Sequence, residues 1–158
     1  MLAIDPGTRA MGVALLENGR IVYHGVKTIT SNGSPQEKLW EGRKIILQLI
    51  NDFAPDVMVV EKTFFANNRN SALLNVFADE IIAVGKRKGL IVKAFAPSVV
   101  KKAVCGNGWA KKDELARAVV QRYPELRVYL GQDRKWKSRY HSNMFDAVAL
   151  GMMAKDIV

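Results

Sequence analysis

The chain is poor in cysteine: Cys105 is the only one among 158 residues. No internal disulfide can form, which suits a reducing compartment. Its neighbours Ala103, Val104 and Gly106 are apolar or small, the setting of a packed thiol rather than a nucleophile. Long hydrophobic runs are missing too. No stretch approaches the roughly 20 apolar residues that cross a bilayer, and the first apolar run is too short and too early for a secretory leader. These absences predict a cytoplasmic protein without a membrane span. Acids are in deficit, with 15 Asp and Glu against 24 Lys and Arg and a formal net charge of +9. That excess favours a polyanionic partner, although charge alone weighs evenly between such a partner and a merely basic surface. At 158 residues and 49% apolar composition, one globular domain spanning 1–158 is expected.

The opening seventeen residues carry the strongest local signal. Leu2 to Ile4 is an apolar run that delivers Asp5; Pro6 and Gly7 turn the chain, and a second apolar run follows. This reads as a strand ending in an acid, a tight turn and a return strand. Asn18-Gly19 is a two-residue hairpin signal, so strands are predicted at 2–5, 12–17 and 20–29. Ser34 caps a helix with Pro35 in its first turn and Glu37 three residues on, and apolar residues at helical spacing carry it to Pro55. The unbroken run 57–61 reads as a strand buried on both faces and again ends in an acid, Glu61. A helix at 72–88, a strand at 90–95, and helices at 97–104, 111–123 and 143–155 complete the pattern, with a basic loop at 131–141. Meandering strands followed by alternation predict an α/β fold: a mixed five-stranded sheet, three strands antiparallel and then parallel ones, flanked by helices.

Asp5, Glu61 and Asp146 all abut apolar runs. Each has an ordinary explanation: Asp5 in its turn, Glu61 paired with Lys62 or an arginine, Asp146 at a helix N-terminus. Together they are better explained by convergence. Clustered carboxylates repel one another unless a cation neutralises them, and an oxygen-only set suits magnesium or manganese. Such centres serve phosphoryl transfer, often with two ions about 3.5–4 Å apart.

Four motifs stand in order along the chain: Ala3-Ile4-Asp5-Pro6-Gly7-Thr8 with Gly12, Val59-Val60-Glu61 with Phe64 and Ala66-Asn67, Val100-Lys101 through Gly106, Gly108 and Lys112, and Asp146-Ala147-Val148-Ala149-Leu150. This ordered set resembles that of the RuvC-type Holliday junction resolvases of the ribonuclease H-like superfamily. The resemblance implies a ribonuclease H-like fold and a metal-dependent endonuclease that resolves four-way DNA junctions by paired symmetric nicks with 5′-phosphate ends. It implies Asp5, Glu61 and Asp146 as ligands of magnesium, two ions per site, with manganese able to substitute. Lys101 and Lys112 would lie near the scissile phosphate and Phe64 at unpaired bases. A homodimer through helix 72–88 is implied as well. Where the family has an acid or histidine three residues before the last aspartate, this chain has Asn143, whose amide can bind a cation or a water but brings no charge; His141 is the other candidate. In the segment 132–140, Arg134, Lys135, Trp136, Lys137 and Arg139 interleave cations with aromatics, a pattern suited to DNA. The alternatives are a YqgF-type nuclease acting on structured RNA, which shares the opening motif, and a junction-binding protein without catalysis. The Asp-x-Gly-Thr turn also opens actin-like ATPases, but those need two copies of the fold.

Overall fold

The computed structural model describes the backbone of residues 1–63, 69–131 and 135–158, and all their side chains except those of Asn70 and of residues 135–139. Five strands form one sheet: β1 (Leu2–Asp5), β2 (Ala10–Glu17), β3 (Arg20–Thr28), β4 (Val57–Glu61) and β5 (Ile91–Phe95), in the spatial order β3-β2-β1-β4-β5. β1, β2 and β3 are antiparallel neighbours; β4 lies parallel to β1 and β5 parallel to β4. The mixed sheet predicted from the element order is present.

Local chemistry accounts for the junctions between elements. Asn18 and Gly19 both have positive φ, 50° and 75°, as a two-residue primed turn requires. Helix α1 (Pro35–Phe53) starts where Ser34 accepts the Glu37 N–H through its hydroxyl at 3.3 Å, and it ends at Ala54 in the left-handed region. Glu37 does not reciprocate to the cap. It takes a hydrogen bond from the Ser31 hydroxyl instead.

Side-chain alternation sorts the sheet into two cores. Leu2, Ile4, Met11, Val13, Met58 and Val60 face α1 and α2 (Arg69–Arg87), meeting Ile46, Leu49, Phe77 and Ile81. Ala3, Ala14, Leu16 and Val59 face the other way, onto α3 (Pro97–Cys105), α4 (Lys112–Arg122) and α5 (Lys135–Ala154). Fully burying one Leu or Phe contributes about 1.5–3 kcal/mol, so this two-sided burial holds β1 and β4 rigidly at the centre of the sheet.

Two sequence expectations need correction. The last helix begins at Lys135, not 143, so Lys135, Trp136, Lys137 and Arg139 lie on α5 and not in a loop. The segment reads as a basic loop because its cations dominate and Ser142-Asn143 imitates a cap, although Trp136 and Tyr140 already stand at helical spacing ahead of Met144. Residues Pro124–Tyr129 form a 3-10 turn that places Leu126 in the core, where only a proline break was expected. Cys105 is partly buried against the second core, and burial raises its thiol pKa, in keeping with a packing role.

Candidate active site

Asp5 ends β1 with the parity of Ala3, and Glu61 ends β4 with the parity of Val59; both therefore point to the α5 side of the sheet. Ala3 is in register with Val59, so the two acids stand level on neighbouring strands, about 4.8 Å apart in backbone spacing. Asp146 comes down onto them from α5. It lies about three turns inside that helix, which removes the helix N-terminus as its explanation.

Gly12 makes this approach possible. It pairs with Asp5 across β1 and β2, and a Cβ there would sit 1.8 Å from the carbonyl oxygen of Asn143. Only a glycine lets the α5 backbone touch the sheet at that point. Gly151 does the same farther along, where a Cβ would meet Leu16 at 2.4 Å. The two contacts lay α5 across β1 and β2 and bring Asp146 over Asp5.

The electrostatics follow from the crowding. Burial first, and then the charges of Glu61 and Asp146, hold the Asp5 carboxyl well above its ordinary pKa, with Lys112 opposing. Glu61 is raised to about 7, by burial and then by Asp146, while Lys101 and Lys112 pull it down. Burial also raises Asp146, against the pull of Lys112 and Lys101. The Lys112 ammonium lies 3.8 Å from the Asp146 carboxylate, which is 14% exposed. Glu61 does not pair with Lys62; that lysine bonds Asp79. Among the described residues no donor reaches the Asp5 or Glu61 carboxylate, and the only buried side-chain polar atom without a partner is Ser142 Oγ. The Asp5 and Glu61 carboxylates are thus largely buried without a protein donor, while Asp146 faces the Lys112 ammonium. Among the described residues no three acidic, histidine or cysteine side chains already stand at ligand spacing around a point. The three carboxylates form a shared anionic patch rather than a closed cage.

Asn143 donates its amide N–H to the Ala10 carbonyl at 3.4 Å and lies three residues before Asp146 on α5, on the same side of the helix. His141 instead packs its ring on Tyr129 and Tyr140, at 4.8 and 5.4 Å, so it is engaged with aromatics. Phe64 and Arg134 lie outside the described residues, as do the side chains of Lys135, Trp136, Lys137 and Arg139. Sequence reasoning saw Gly12 only as part of a motif. Its close contact with α5 is a tertiary fact, and its one sequence signal is a glycine inside an apolar strand.

A family model described as "Crossover junction endodeoxyribonuclease RuvC" matches residues 1–129. A protein of that description from Neorickettsia sennetsu is 36% identical over 155 residues, covering 94% of this chain and 88% of the relative. Another, from Parvibaculum lavamentivorans, is 37% identical over 128 residues, covering 78% and 73%. Among solved structures, the chain is similar in fold to T. thermophilus RuvC in complex with Holliday junction substrate: TM-score 0.74, 22% identity, 98% of this chain and 91% of that one. The yeast mitochondrial Holliday junction resolvase Ydc2 aligns with a TM-score of 0.66 at 14% identity, over 96% and 76%.

Proposed function

The chain belongs to the crossover junction endodeoxyribonuclease RuvC family, and from that premise we propose how its carboxylate patch cuts DNA. It is an endodeoxyribonuclease of Holliday junctions, which sets aside the RNA-directed alternative. The observation that carries the mechanism is the gathering of Asp5, Glu61 and Asp146 from β1, β4 and α5 onto one face, each with its ionisation opposed by burial.

Nucleases of this family depend on a metal. The donor set here fits a hard cation: oxygen atoms only, crowded enough to repel, with no protein donor on Asp5 or Glu61 among the described residues. We assign Asp5, Glu61 and Asp146 as ligands of magnesium, with manganese as a substitute and two ions per site. The bound ions supply Lewis-acid stabilisation of the phosphate and a more acidic water. The chain does the rest. Asp5 and Glu61, on rigid central strands, fix the water against the phosphodiester. The water attacks phosphorus, the bond to the 3′ oxygen breaks, and the ends are a 5′-phosphate and a 3′-hydroxyl. Lys112, beside Asp146, and Lys101 present positive charge to the phosphate as negative charge builds on it. The Asn143 amide oxygen accepts from a water at the edge of the site. DNA contacts by Phe64, Arg134, Lys135, Trp136, Lys137 and Arg139 belong to the same proposal.

Paired nicks require two sites. Helix α2 turns Phe77, Ile81 and Val84 into the core and leaves Leu73, Leu74 and Ile82 partly buried and Val76 51% exposed. Apolar surface that α2 leaves outside the core, Val76 above all, supports a twofold homodimer through this helix. Among the described residues no helix is long and apolar enough to cross a membrane; a DNA substrate and an unpaired thiol support a cytoplasmic setting.

The test is a labelled four-way junction incubated with and without magnesium, with nick positions mapped. Wild type should nick two opposed strands symmetrically, and Asp5→Asn should bind the junction without cutting it. Full activity of Asp5→Asn would sink the assignment; binding without metal-dependent cutting by wild type would favour a non-catalytic role.

A further inference from the structure

The loop between α3 and α4 carries a side chain that the active-site description does not use. Trp109 is 92% exposed, an unusual position for the largest aromatic. The backbone beneath it is firmly held. Gly106 closes α3 in the left-handed region with its N–H on the Lys102 carbonyl at 2.9 Å. Asn107 accepts the Trp109 N–H on its side-chain oxygen at 3.0 Å and the Ala110 N–H on its carbonyl at 3.2 Å. Gly108 is pressed on α3, where a Cβ would lie 3.1 Å from the Ser98 carbonyl oxygen. Ala110 is buried, so the chain on either side leaves the ring no route into the core.

Cations outnumber acids in the chain around the ring, four lysines against Asp113 and Glu114. Lys102, Lys111 and Lys112 are exposed and Lys101 half-buried. The nearby acids are engaged: Asp113 with Arg117 at 3.5 Å, and Glu114 with the Lys111 N–H at 2.6 Å. Trp109 and half-exposed Val99 also line a cavity of about 380 Å³. An aromatic ring set among lysines matches the stacking-plus-phosphate pattern of nucleic-acid surfaces. Two residues separate Trp109 from Lys112, so their Cα atoms are at most about 11 Å apart. A strand carries one phosphate about every 3.4 Å of helix axis, which puts the ring a few nucleotides from a phosphate held at Lys112.

We propose that Trp109 is a DNA-contact residue of this nuclease, stacking on a base a few nucleotides from the scissile phosphate while Lys101, Lys102, Lys111 and Lys112 hold the backbone. This rests on the junction-cutting reading above. Because the loop is already ordered and tryptophan has two rotatable side-chain bonds, little freedom is lost on contact.

The experiment uses the full chain in EDTA with a four-way junction carrying 2-aminopurine at successive positions one to four nucleotides from the mapped nick. Wild type should change the probe's fluorescence at one of them. Trp109→Ala should lose that signal and bind about 5- to 150-fold more weakly, the range expected for one lost stack. Its salt dependence should keep the wild-type slope, since no phosphate contact is removed. Trp109→Phe should keep the signal and most of the affinity, and both variants should melt within about 1 °C of wild type because the ring makes little packing contact. Binding of Trp109→Ala within twofold of wild type with an unchanged probe profile would overturn the proposal. If wild type leaves the junction uncut in magnesium, the junction reading itself fails, and the stacking partner with it.

Discussion

Replacing Glu61 by glutamine should stabilise the metal-free protein at every pH above the ordinary glutamate pKa of 4.5, and not below it. Glu61 titrates at about 7 in the fold against an ordinary value of 4.5. Below pH 4.5 the folded and unfolded chains both hold the proton, and the group does not influence stability. Between 4.5 and 7 the unfolded chain releases the proton while the folded chain keeps it. Stability then falls by about 1.4 kcal/mol per pH unit. Above pH 7 the loss levels off at a ceiling of about 3 kcal/mol. Glu61→Gln removes the ionisation and hence the loss. In a domain of this size each kcal/mol moves the melting temperature about 2–4 °C. In EDTA at pH 8 the variant should therefore melt up to about 6–12 °C above wild type, and at pH 4 the two should melt together. Asp5 and Asp146 share the same site, so the gain will fall below that ceiling rather than add to theirs. Magnesium should narrow the gap at pH 8, because wild type gains about 2.7 kcal/mol from an ion at a hundredfold its dissociation constant and the variant gains less. Thermal scans at pH 4, 6 and 8, with EDTA or magnesium, measure all of this. A variant that melts at or below wild type in EDTA at pH 8, or a difference that ignores pH, would refute the idea that these acids are held together against their repulsion.

Gly12→Ala should push α5 off the sheet, since its Cβ would overlap the Asn143 carbonyl; a loss of about 1–3 kcal/mol in denaturant melts should accompany loss of nicking. Lys112→Ala removes the cation 3.8 Å from Asp146. It should slow cleavage and lower the slope of log affinity against log salt by about 1 in filter binding, leaving the fold intact because the lysine side chain is 69% exposed. Val76→Glu places a charge on the half-exposed face of α2 and should yield a folded monomer by light scattering, with single nicks replacing paired ones; a dimer that persists would move the interface elsewhere.

Several features were legible from residues alone because their causes are local. Asn18-Gly19 can hardly do anything but turn a hairpin, Ser34-Pro35 starts a helix wherever it sits, and an apolar run ending in Asp5 or Glu61 places an acid at the tip of a buried strand. Alternation then aims both acids to one face. The basic segment at 132–140 was misread because its charge outweighed the i, i+4 spacing of Trp136, Tyr140 and Met144 that marks the helix.

The sequence by itself determined the strands, their terminal acids and the order of the elements, since these depend on neighbours within a few positions. Tertiary structure alone decided that the acids share one patch, because that depends on contacts between residues far apart in the chain. Gly12 must meet Asn143 for Asp146 to come over Asp5, and α4 must pack so that Lys112 reaches Asp146. The exposure of Trp109 was decided in the same way. An aromatic in a glycine loop is as easily buried as displayed, and here the buried Ala110 and the pressed Gly108 turn it outward.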